Sequence, residues 1–372
     1  MRARLISPGA VWRGAPAREA AAPAVNGAGK RGRHRLATRA LLAGALWLVF
    51  VQPARAATVQ GDMKIYVLNV GQGDAILIVC PHATHRMLID AGARGYPNSQ
   101  KAFQQQLRQL VPGQQPPLQV VIASHPHDDH IAGLHWVLQT FKVGKFVDNG
   151  KSYTKTFKKI RTLANQQKKA GTLQYIPAGK SLSSIADFCP ATNLHAELLV
   201  PKGFGKAKNV NNNSVVVRVK YDKLSFLFTG DAEREEEAQL LADPLIKPRL
   251  GGAAFYKVGH HGAETSSTHD FLSQMRPQWA AISSGRKNIG KNKGYRHPRA
   301  LTLGALLAVI TADADKEIRT VDAGESAKGE WTTVKIHKRI YLTAKDDSIL
   351  FLSDGQTVRQ QPAGLANPIG PD

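Results

Sequence analysis

Four side chains of metal-binding type fall within six residues of the chain. They are His125, His127, Asp129 and His130, in the run His-Pro-His-Asp-Asp-His. Imidazole and carboxylate ligands together suit zinc, and they also suit manganese or iron. His125 and His127 can converge on one ion, and Asp129 and His130 on a neighbouring ion. Because six residues cannot complete two coordination shells, further ligands must come from elsewhere in the chain.

Two later segments offer those ligands. Asp231 ends the run Phe-Thr-Gly-Asp, and His260 and His261 come after a predicted strand that ends at Val258. We expect Asp231 to bridge the two ions and one of the adjacent histidines to complete the second site, and the sequence leaves open which one. A lone histidine is usually plain surface, but this combination indicates two divalent transition-metal ions, with zinc favoured over manganese or iron.

The ligand segments follow predicted β-strands, which give their short loops a rigid base. Alternating and apolar patterns predict strands at 63–70, 74–80, 87–89, 118–123, 194–200, 214–220, 224–228, 253–258 and 278–283, with short strands from 317 to 353. Helical spacing predicts helices over 99–110, 131–141, 151–170, 232–242, 268–275 and 299–310. Two strand clusters with helices between and after them predict an α/β protein in which two sheets pack face to face between helices, a four-layer αββα sandwich.

The chain carries a large positive charge. Its 372 residues have a formal net charge of +22, and residues 1–56 hold ten Lys or Arg and one Glu, which leaves +13 for the remainder. Such an excess favours a polyanionic partner, with DNA as one candidate, although a generally basic proteome would give the same excess. The sequence suggests no protein partner.

The N-terminal segment has the pattern of an export signal. A basic stretch is followed by twelve apolar residues, 40–51, and then by Ala54-Arg55-Ala56. We therefore expect residues 1–56 to be a signal peptide and the mature protein to be periplasmic or secreted, with an uncleaved anchor as the alternative. We expect no transmembrane segment after residue 56. Residues 57–360 are predicted to form one catalytic domain with a β-rich C-terminal extension, and 361–372 a flexible tail. Cys80 and Cys189 could form a disulfide, which the sequence cannot decide.

Seven motifs resemble those of the metallo-β-lactamase-fold hydrolases, most closely the soluble hydrolase domain of ComEC-type competence proteins. They are NVGQGDA at 69–75, LIDAG at 88–92, SHPHDDH at 124–130, NNSVV at 212–216, TGD at 229–231, KVGHHG at 257–262 and YRHP at 295–298. The resemblance covers nearly the whole chain after the leader, apart from the tail. It implies the αββα fold and a dinuclear centre that hydrolyses an ester, with a phosphodiester as the expected substrate.

The resemblance also implies roles for particular residues. The ligands would be His125, His127, Asp129, His130 and Asp231, with one of His260 and His261. Two departures stand out: ComEC-like domains commonly have aspartate where His127 stands, and many superfamily members have a histidine where this chain has the asparagine run 211–213. Asn212 and Asn213 are therefore expected to be weak ligands or to support the ligands, and Asp90 is expected to hydrogen-bond a ligand histidine.

The sequence further suggests how a phosphate ester would be handled. Asp129 is expected to orient the nucleophile, and His297 to donate a proton to the leaving group or hold a phosphate, unless it is only a loop histidine. The basic loop around it offers Arg286, Lys287, Tyr295 and Arg296 for substrate binding. Two alternatives stay open: a β-lactam or lactone hydrolase, and a non-catalytic nucleic-acid-binding module of the same fold.

Overall fold

The computed structural model describes residues 61–112, 118–151, 154–178, 183–185, 188–190, 192–313, 318–326, 328–365 and 369. The predicted signal peptide lies outside the described residues. The described residues belong to one compact unit. Within them, no helix combines the length and the apolar composition needed to cross a membrane.

The first sheet has eight strands. They are β1 (Met63–Val67), β2 (Ile76–Val79), β3 (Arg86–Ile89), β4 (Leu118–Ile122), β5 (Val143–Asp148), β6 (Gln174–Pro177), β16 (Ile349–Ser353) and β17 (Val358–Pro362). Their spatial order is β17-β16-β1-β2-β3-β4-β5-β6. Strands β3 to β6 run parallel to one another, and the remaining pairs are antiparallel.

The second sheet has seven strands. They are β7 (Ser183–Ser184), β8 (Leu194–Leu199), β9 (Val216–Tyr221), β10 (Leu224–Phe228), β11 (Phe255–Lys257), β12 (Trp279–Ile282) and β15 (Ile340–Leu342), in the spatial order β15-β12-β11-β10-β9-β8-β7. Strands β10, β11, β12 and β15 are parallel. A separate hairpin consists of β13 (Arg319–Gly324) and β14 (Trp331–Ile336).

Ten helices accompany these strands in the described part of the chain. They are α1 (Ser99–Leu110), α2 (Asp128–Ile131), α3 (Leu134–Thr140), α4 (Lys155–Lys169), α5 (Arg234–Ala242), α6 (Lys247–Leu250), α7 (His269–Met275), α8 (Asn292–Tyr295), α9 (Ala300–Val309) and α10 (Thr343–Asp346). Helices α1, α3 and α4 pack on the outer face of the first sheet, and α5, α7 and α9 on that of the second.

The inner faces of the two sheets form a common apolar core. Ile65 and Ile78 of the first sheet share it with Val217 and Phe226 of the second. Neighbouring residues such as Leu77 point the other way and pack under the helices. Because central strands are apolar on both faces, they lie between two layers rather than facing water. The predicted αββα sandwich is confirmed.

Two local differences from the sequence predictions concern a segment near the site and the chain end, and the structure also decides the open question of the two cysteines. The helix predicted over 131–141 is split, because Gly133 donates a backbone hydrogen bond to the Ala91 carbonyl at 2.8 Å and α3 starts only after it. The tail predicted from residue 361 begins too early, since β17 runs to Pro362 and Leu365 packs against the first helical layer. Cys80 and Cys189 are joined in a disulfide.

Candidate metal centre

The ligand segments meet at one edge of the sandwich. Strands β3 and β4 of the first sheet and β10, β11 and β12 of the second are parallel within their sheets. The loops after such strands emerge at the same edge, which is where α/β proteins commonly place their sites. The histidine run follows β4, Asp231 follows β10, and His260 and His261 follow β11.

Two glycine-containing loops support the turn that carries the histidine run. The backbone N–H of Asp74 donates to the carbonyl of Asp129 at 3.0 Å, and that of Ala91 donates to His130 at 2.7 Å. A Cβ atom at Gly92 would lie 1.6 Å from the Asp129 carbonyl oxygen. This approach is open only to glycine, so the motifs around residues 74 and 92 position the ligand turn through the backbone.

The first ligand group comprises Asp74, His130, Asp231 and His261. These four buried residues offer ligand atoms that all lie within 4.8 Å of one another. His130 Nε2 lies 3.1 Å from Asp231 Oδ1 and 3.3 Å from His261 Nε2. Two imidazole nitrogens facing each other across a carboxylate are typical of a site that surrounds a cation.

The second ligand group shares Asp231 with the first. It adds His125 and His127, again with ligand atoms within 4.8 Å of one another. His125 Nε2 lies 3.6 Å from Asp231 Oδ2 and 3.0 Å from His127 Nδ1. Asp231 therefore stands between the two groups, at the position predicted for a bridging ligand.

Burial and neighbouring charges shift the pKa values of two histidines in the cluster in opposite directions. Burial lowers the pKa of His125 well below its ordinary value, and nearby His130 lowers it further. Burial also disfavours charge on His130, but Asp231 and Asp90 outweigh it and hold the pKa of His130 well above the ordinary value. The carboxylates around His130 therefore favour positive charge at this position. A bound metal cation would supply such charge, since ligands bind metals in their deprotonated forms.

The far nitrogens of two ligand histidines already have partners. His130 Nδ1 lies 2.7 Å from Asp90 Oδ2, and His261 Nδ1 lies 3.0 Å from the Ser283 carbonyl oxygen. These contacts leave both Nε2 atoms directed at the common centre. Because such partners fix the ring orientation and the tautomer of a metal-binding histidine, the donor set fits divalent transition metals.

Asp90 allows a test of this support. Its carboxylate also accepts hydrogen bonds from the Ser124 backbone at 2.7 Å and from Ser124 Oγ at 2.6 Å. Asp90→Asn keeps the shape, and asparagine tolerates the positive φ of 61°, but its amide cannot accept at every contact. We expect metal affinity to fall by about 10–100-fold, as is usual for such partners. Isothermal titration with Zn²⁺ measures this, and unchanged affinity would contradict the assigned role.

Asp74 and Lys257 form a buried ion pair that sequence reasoning did not assign to the site. Lys257 Nζ lies 2.9 Å from Asp74 Oδ2, and both side chains are almost fully buried. Burial pushes the pKa of Asp74 upward, but Lys257 and His261 outweigh it and hold the pKa well below its ordinary value. The signal was present in the sequence, where Asp74 follows Gly-Gln-Gly and Lys257 precedes the histidine pair.

The pair His260 and His261 divides between two positions. His261 joins the first ligand group. His260 Nδ1 lies 3.1 Å from Glu233 Oε1, while its Nε2 lies 3.7 Å from Asp231 Oδ2 at the edge of the cluster. Asp129 is also peripheral, since its Oδ2 lies 3.9 Å from His261 Nε2. Glu233 is a further neighbour of His260 that no sequence pattern singled out.

In the described part of the structure, the side-chain amides of Asn212 and Asn213 make no hydrogen bond to a ligand side chain. Asn212 Oδ1 accepts from the backbone N–H groups of Glu233 and Glu236 at the start of α5. Asn213 bonds to the backbone of Ala207. Both amides therefore stabilise loops. The tight 3₁₀ turn at 210–213 instead directs Asn211 to the cleft, where its Nδ2 lies 3.5 Å from His260 Nε2.

A cleft of about 290 Å³ gives access to the cluster. His297 lies in its wall, with Nδ1 3.4 Å from Gln72 Nε2. Burial, together with nearby His261 and His260, lowers the pKa of His297 well below its ordinary value. Tyr295 stacks on His297 with ring centroids 5.7 Å apart, and it also lines this cleft.

Two of the other three residues predicted to bind substrate line a different cleft from the one above the cluster. Arg286 and Lys287 line a neighbouring cleft, which His297 also borders. Lys287 Nζ lies 3.3 Å from Asp322 Oδ1. Arg296 is the residue that follows α8. In the described part of the structure it lines neither of the two clefts.

Comparison with known sequences assigns the family. The sequence profile of the metallo-beta-lactamase superfamily matches residues 68–286, more than half of the chain. The chain belongs to the metallo-beta-lactamase superfamily. Members of this superfamily are generally metal-dependent hydrolases, and the fold typically binds divalent metals. The resemblance inferred from the sequence motifs is therefore confirmed.

Two curated relatives are similar to more than half of this chain. The chain is 28% identical over 272 residues to ComE operon protein 3 of Bacillus subtilis, covering 70% of this chain and 32% of that protein. It is 29% identical over 236 residues to Recombination protein 2 of Haemophilus influenzae, covering 62% of this chain and 25% of that protein. The chain thus spans a third or less of the length of these relatives.

One solved structure similar to this superfamily member is the metallo-beta-lactamase fold protein YhfI from Bacillus subtilis. It is 11% identical, with a TM-score of 0.45, and the alignment covers 78% of this chain and all of that one.

Proposed function

We propose that this superfamily member is a metal-dependent phosphodiesterase that acts on DNA or a related phosphate ester. The observation that carries the proposal is the sharing of Asp231 by two groups of ligand side chains at the base of a cleft. A dinuclear centre of this kind suits phosphodiester hydrolysis. Lys291 lines the same cleft, and the basic loop that contains it continues toward Arg286. The name of one curated relative, Recombination protein 2, also favours a nucleic-acid substrate.

The residues of the two ligand groups would bind the metal ions. Asp74, His130, Asp231 and His261 form one group, and His125 and His127 share Asp231 in the other. Bound divalent ions would supply the Lewis acidity that makes water nucleophilic and offsets charge on the phosphoryl oxygens.

Other residues would act on the substrate itself. Asp129, beside His261, would accept a hydrogen bond from the attacking water. His297, which Gln72 contacts at Nδ1, would donate a hydrogen bond to a phosphate oxygen or to the leaving group. Lys291 and the neighbouring basic loop would attract the phosphate backbone, so binding should weaken as salt increases.

We also propose that the protein works outside the cytoplasm. The support is the signal-like pattern of residues 1–56 together with the Cys80–Cys189 disulfide, because disulfides persist mainly in oxidising compartments. N-terminal sequencing of the protein recovered from the periplasm or medium tests this. A protein that stays in the cytoplasm with its N-terminus intact would contradict it.

A substrate panel tests the catalytic proposal. Purified protein loaded with Zn²⁺ or Mn²⁺ is offered bis-p-nitrophenyl phosphate, single-stranded DNA and nitrocefin. We expect hydrolysis of the two phosphodiesters, loss of that activity with EDTA and its return on adding metal, because the ligand cluster has no other cation to supply Lewis acidity. Nitrocefin should stay near background.

Each contrary outcome of the panel has a clear meaning. Rapid nitrocefin turnover without phosphodiester cleavage would replace the proposal by a β-lactam or lactone hydrolase. Metal binding without hydrolysis of any substrate, combined with tight DNA binding, would instead favour the non-catalytic binding module.

A further inference from the structure

A second cleft opens beside the metal centre. It has a volume of about 330 Å³ and lies between the loop at 285–289, the β13–β14 hairpin and α10. His297 borders both this cleft and the one above the metal ligands. A polymer with its scissile bond at the metal centre could therefore extend past His297 into the second cleft. We refer to it as the side cleft.

One wall of the side cleft carries a fixed aromatic ring. Trp331 is half-buried, and its indole Nε1 donates to Asn288 Oδ1 at 3.0 Å. Lys287 Nζ lies 6.0 Å from the centroid of the Trp331 ring. The hydrogen bond restrains the edge of the indole, so the ring can offer a stacking surface at low entropic cost.

The charges around the side cleft are mainly positive. Arg286, Lys287 and Lys345 line it, and Asp322 is the one acidic lining residue among those described. Lys345 is exposed and belongs to α10, and it lines the side cleft together with Trp331. A stacking aromatic surface beside basic groups is the pattern by which proteins bind single-stranded nucleic acid without sequence preference.

We propose that the side cleft binds the nucleotide adjacent to the phosphodiester at the metal centre. Its base would stack on Trp331, and its outer phosphate would interact with Lys345. This inference rests on the proposed function for the position of the scissile bond, but the binding itself needs no catalysis. Trp331 and Lys345 lie outside residues 68–286, the part that matches the superfamily profile, so the side cleft is assigned by the tertiary structure of this chain.

Cleavage of a long and a short substrate by Trp331→Ala tests the side cleft. Bis-p-nitrophenyl phosphate has no flanking nucleotide, whereas a single-stranded thymidine oligonucleotide has several. We expect the ratio of kcat/KM for the oligonucleotide to that for the small ester to fall by about tenfold, within the range for losing one base–aromatic stack. The fall should lie mainly in KM, and Trp331→Phe should retain most of the wild-type ratio.

Matched variants exclude general effects of the substitutions. Trp136→Phe replaces a half-buried tryptophan of α3 that contacts Phe103 and lines neither cleft in the described structure. It should leave the ratio within about twofold, as is usual for substitutions away from a binding surface. Lys345→Gln should lower the ratio and reduce its salt dependence. The exposed Lys168→Gln on α4 should do neither. Because Lys345 is exposed, this pair stays informative even if Trp331→Ala fails to fold.

A binding measurement separates this inference from the catalytic proposal. Fluorescence anisotropy of a labelled thymidine oligonucleotide is measured with Asp231→Asn, and with Asp231→Asn combined with Trp331→Ala. We expect Kd to rise by about tenfold in the double variant. If Kd rises in this way while wild type cleaves no phosphodiester, the proposal that the side cleft binds a nucleotide is supported and the catalytic proposal fails. If wild type cleaves DNA but neither Kd nor the ratio depends on Trp331 or Lys345, the side cleft is refuted. It is also refuted if the oligonucleotide does not bind.

Discussion

Asp231→Asn is expected to reduce bound metal to one ion per chain or none and to lower phosphodiesterase kcat by at least about a thousandfold. The Asp231 carboxylate lies 3.1–3.7 Å from the Nε2 atoms of His125, His130, His260 and His261. A neutral amide cannot bridge two cations as a carboxylate does. The loss of about 4 kcal/mol of transition-state stabilisation, which is in the range for metal-ion catalysis, corresponds to a thousandfold in rate.

Elemental analysis and steady-state kinetics measure this effect. Asp270→Asn is a matched control, because Asp270 lies on α7 with a side chain that is 89% exposed. This control should retain both ions and full activity. Two tightly bound ions and near wild-type kcat in Asp231→Asn would show that Asp231 does not bridge a dinuclear centre.

Lys257→Met is expected to lower the free energy of unfolding by about 3–5 kcal/mol, the usual cost of removing one partner of a buried ion pair. The substitution leaves the Asp74 carboxylate buried without its cation, which lies 2.9 Å away in the native protein. Lys257 Nζ also donates to the Val258 carbonyl at 2.9 Å, just before the turn that carries His260 and His261. Loss of the lysine therefore affects both the core and the ligand turn.

Urea unfolding of metal-free protein measures the change without contributions from bound ions. Lys220→Met on β9 is the control, because this lysine is exposed, and it should change stability by no more than about 0.5 kcal/mol. The double variant Lys257→Met with Asp74→Asn should recover a large part of the loss, since no charge is left unpaired. Equal losses in the single and double variants would show that the ion pair does not account for the effect.

Local sequence patterns predicted most of the site because its ligands are close in sequence to strand ends. The run from His125 to His130 follows a mostly apolar strand, and the spacing of its side chains is set within one short turn. Asp231 follows the end of another mostly apolar strand, after Thr229 and Gly230. Parallel strands deliver their following loops to a common edge, so separate runs of ligand-type residues could be assigned to one centre before any contact was known.

Other features depended on contacts between residues far apart in the chain. Asp74 forms an ion pair with Lys257 and shares a ligand group with His261, and both partners lie more than 180 positions away in the chain. No periodic pattern in the sequence encodes such a pairing. The asparagine run offered three equivalent amides, and only the path of the turn at 210–213 directs Asn211 to the cleft.

The amino-acid sequence by itself determined the layered αββα architecture, the superfamily and the metal-binding character of the site. These follow from hydrophobic periodicity and from ligand spacing, which are local properties of the chain. Tertiary structure alone decided that His261 rather than His260 joins the ligand group. Both residues adopt left-handed backbone conformations in one tight turn, so only the direction of each side chain from that turn distinguishes them. Tertiary structure also brought Trp331 beside the basic loop. Both outcomes arise from how distant loops pack at one edge of the sandwich, which no local pattern records.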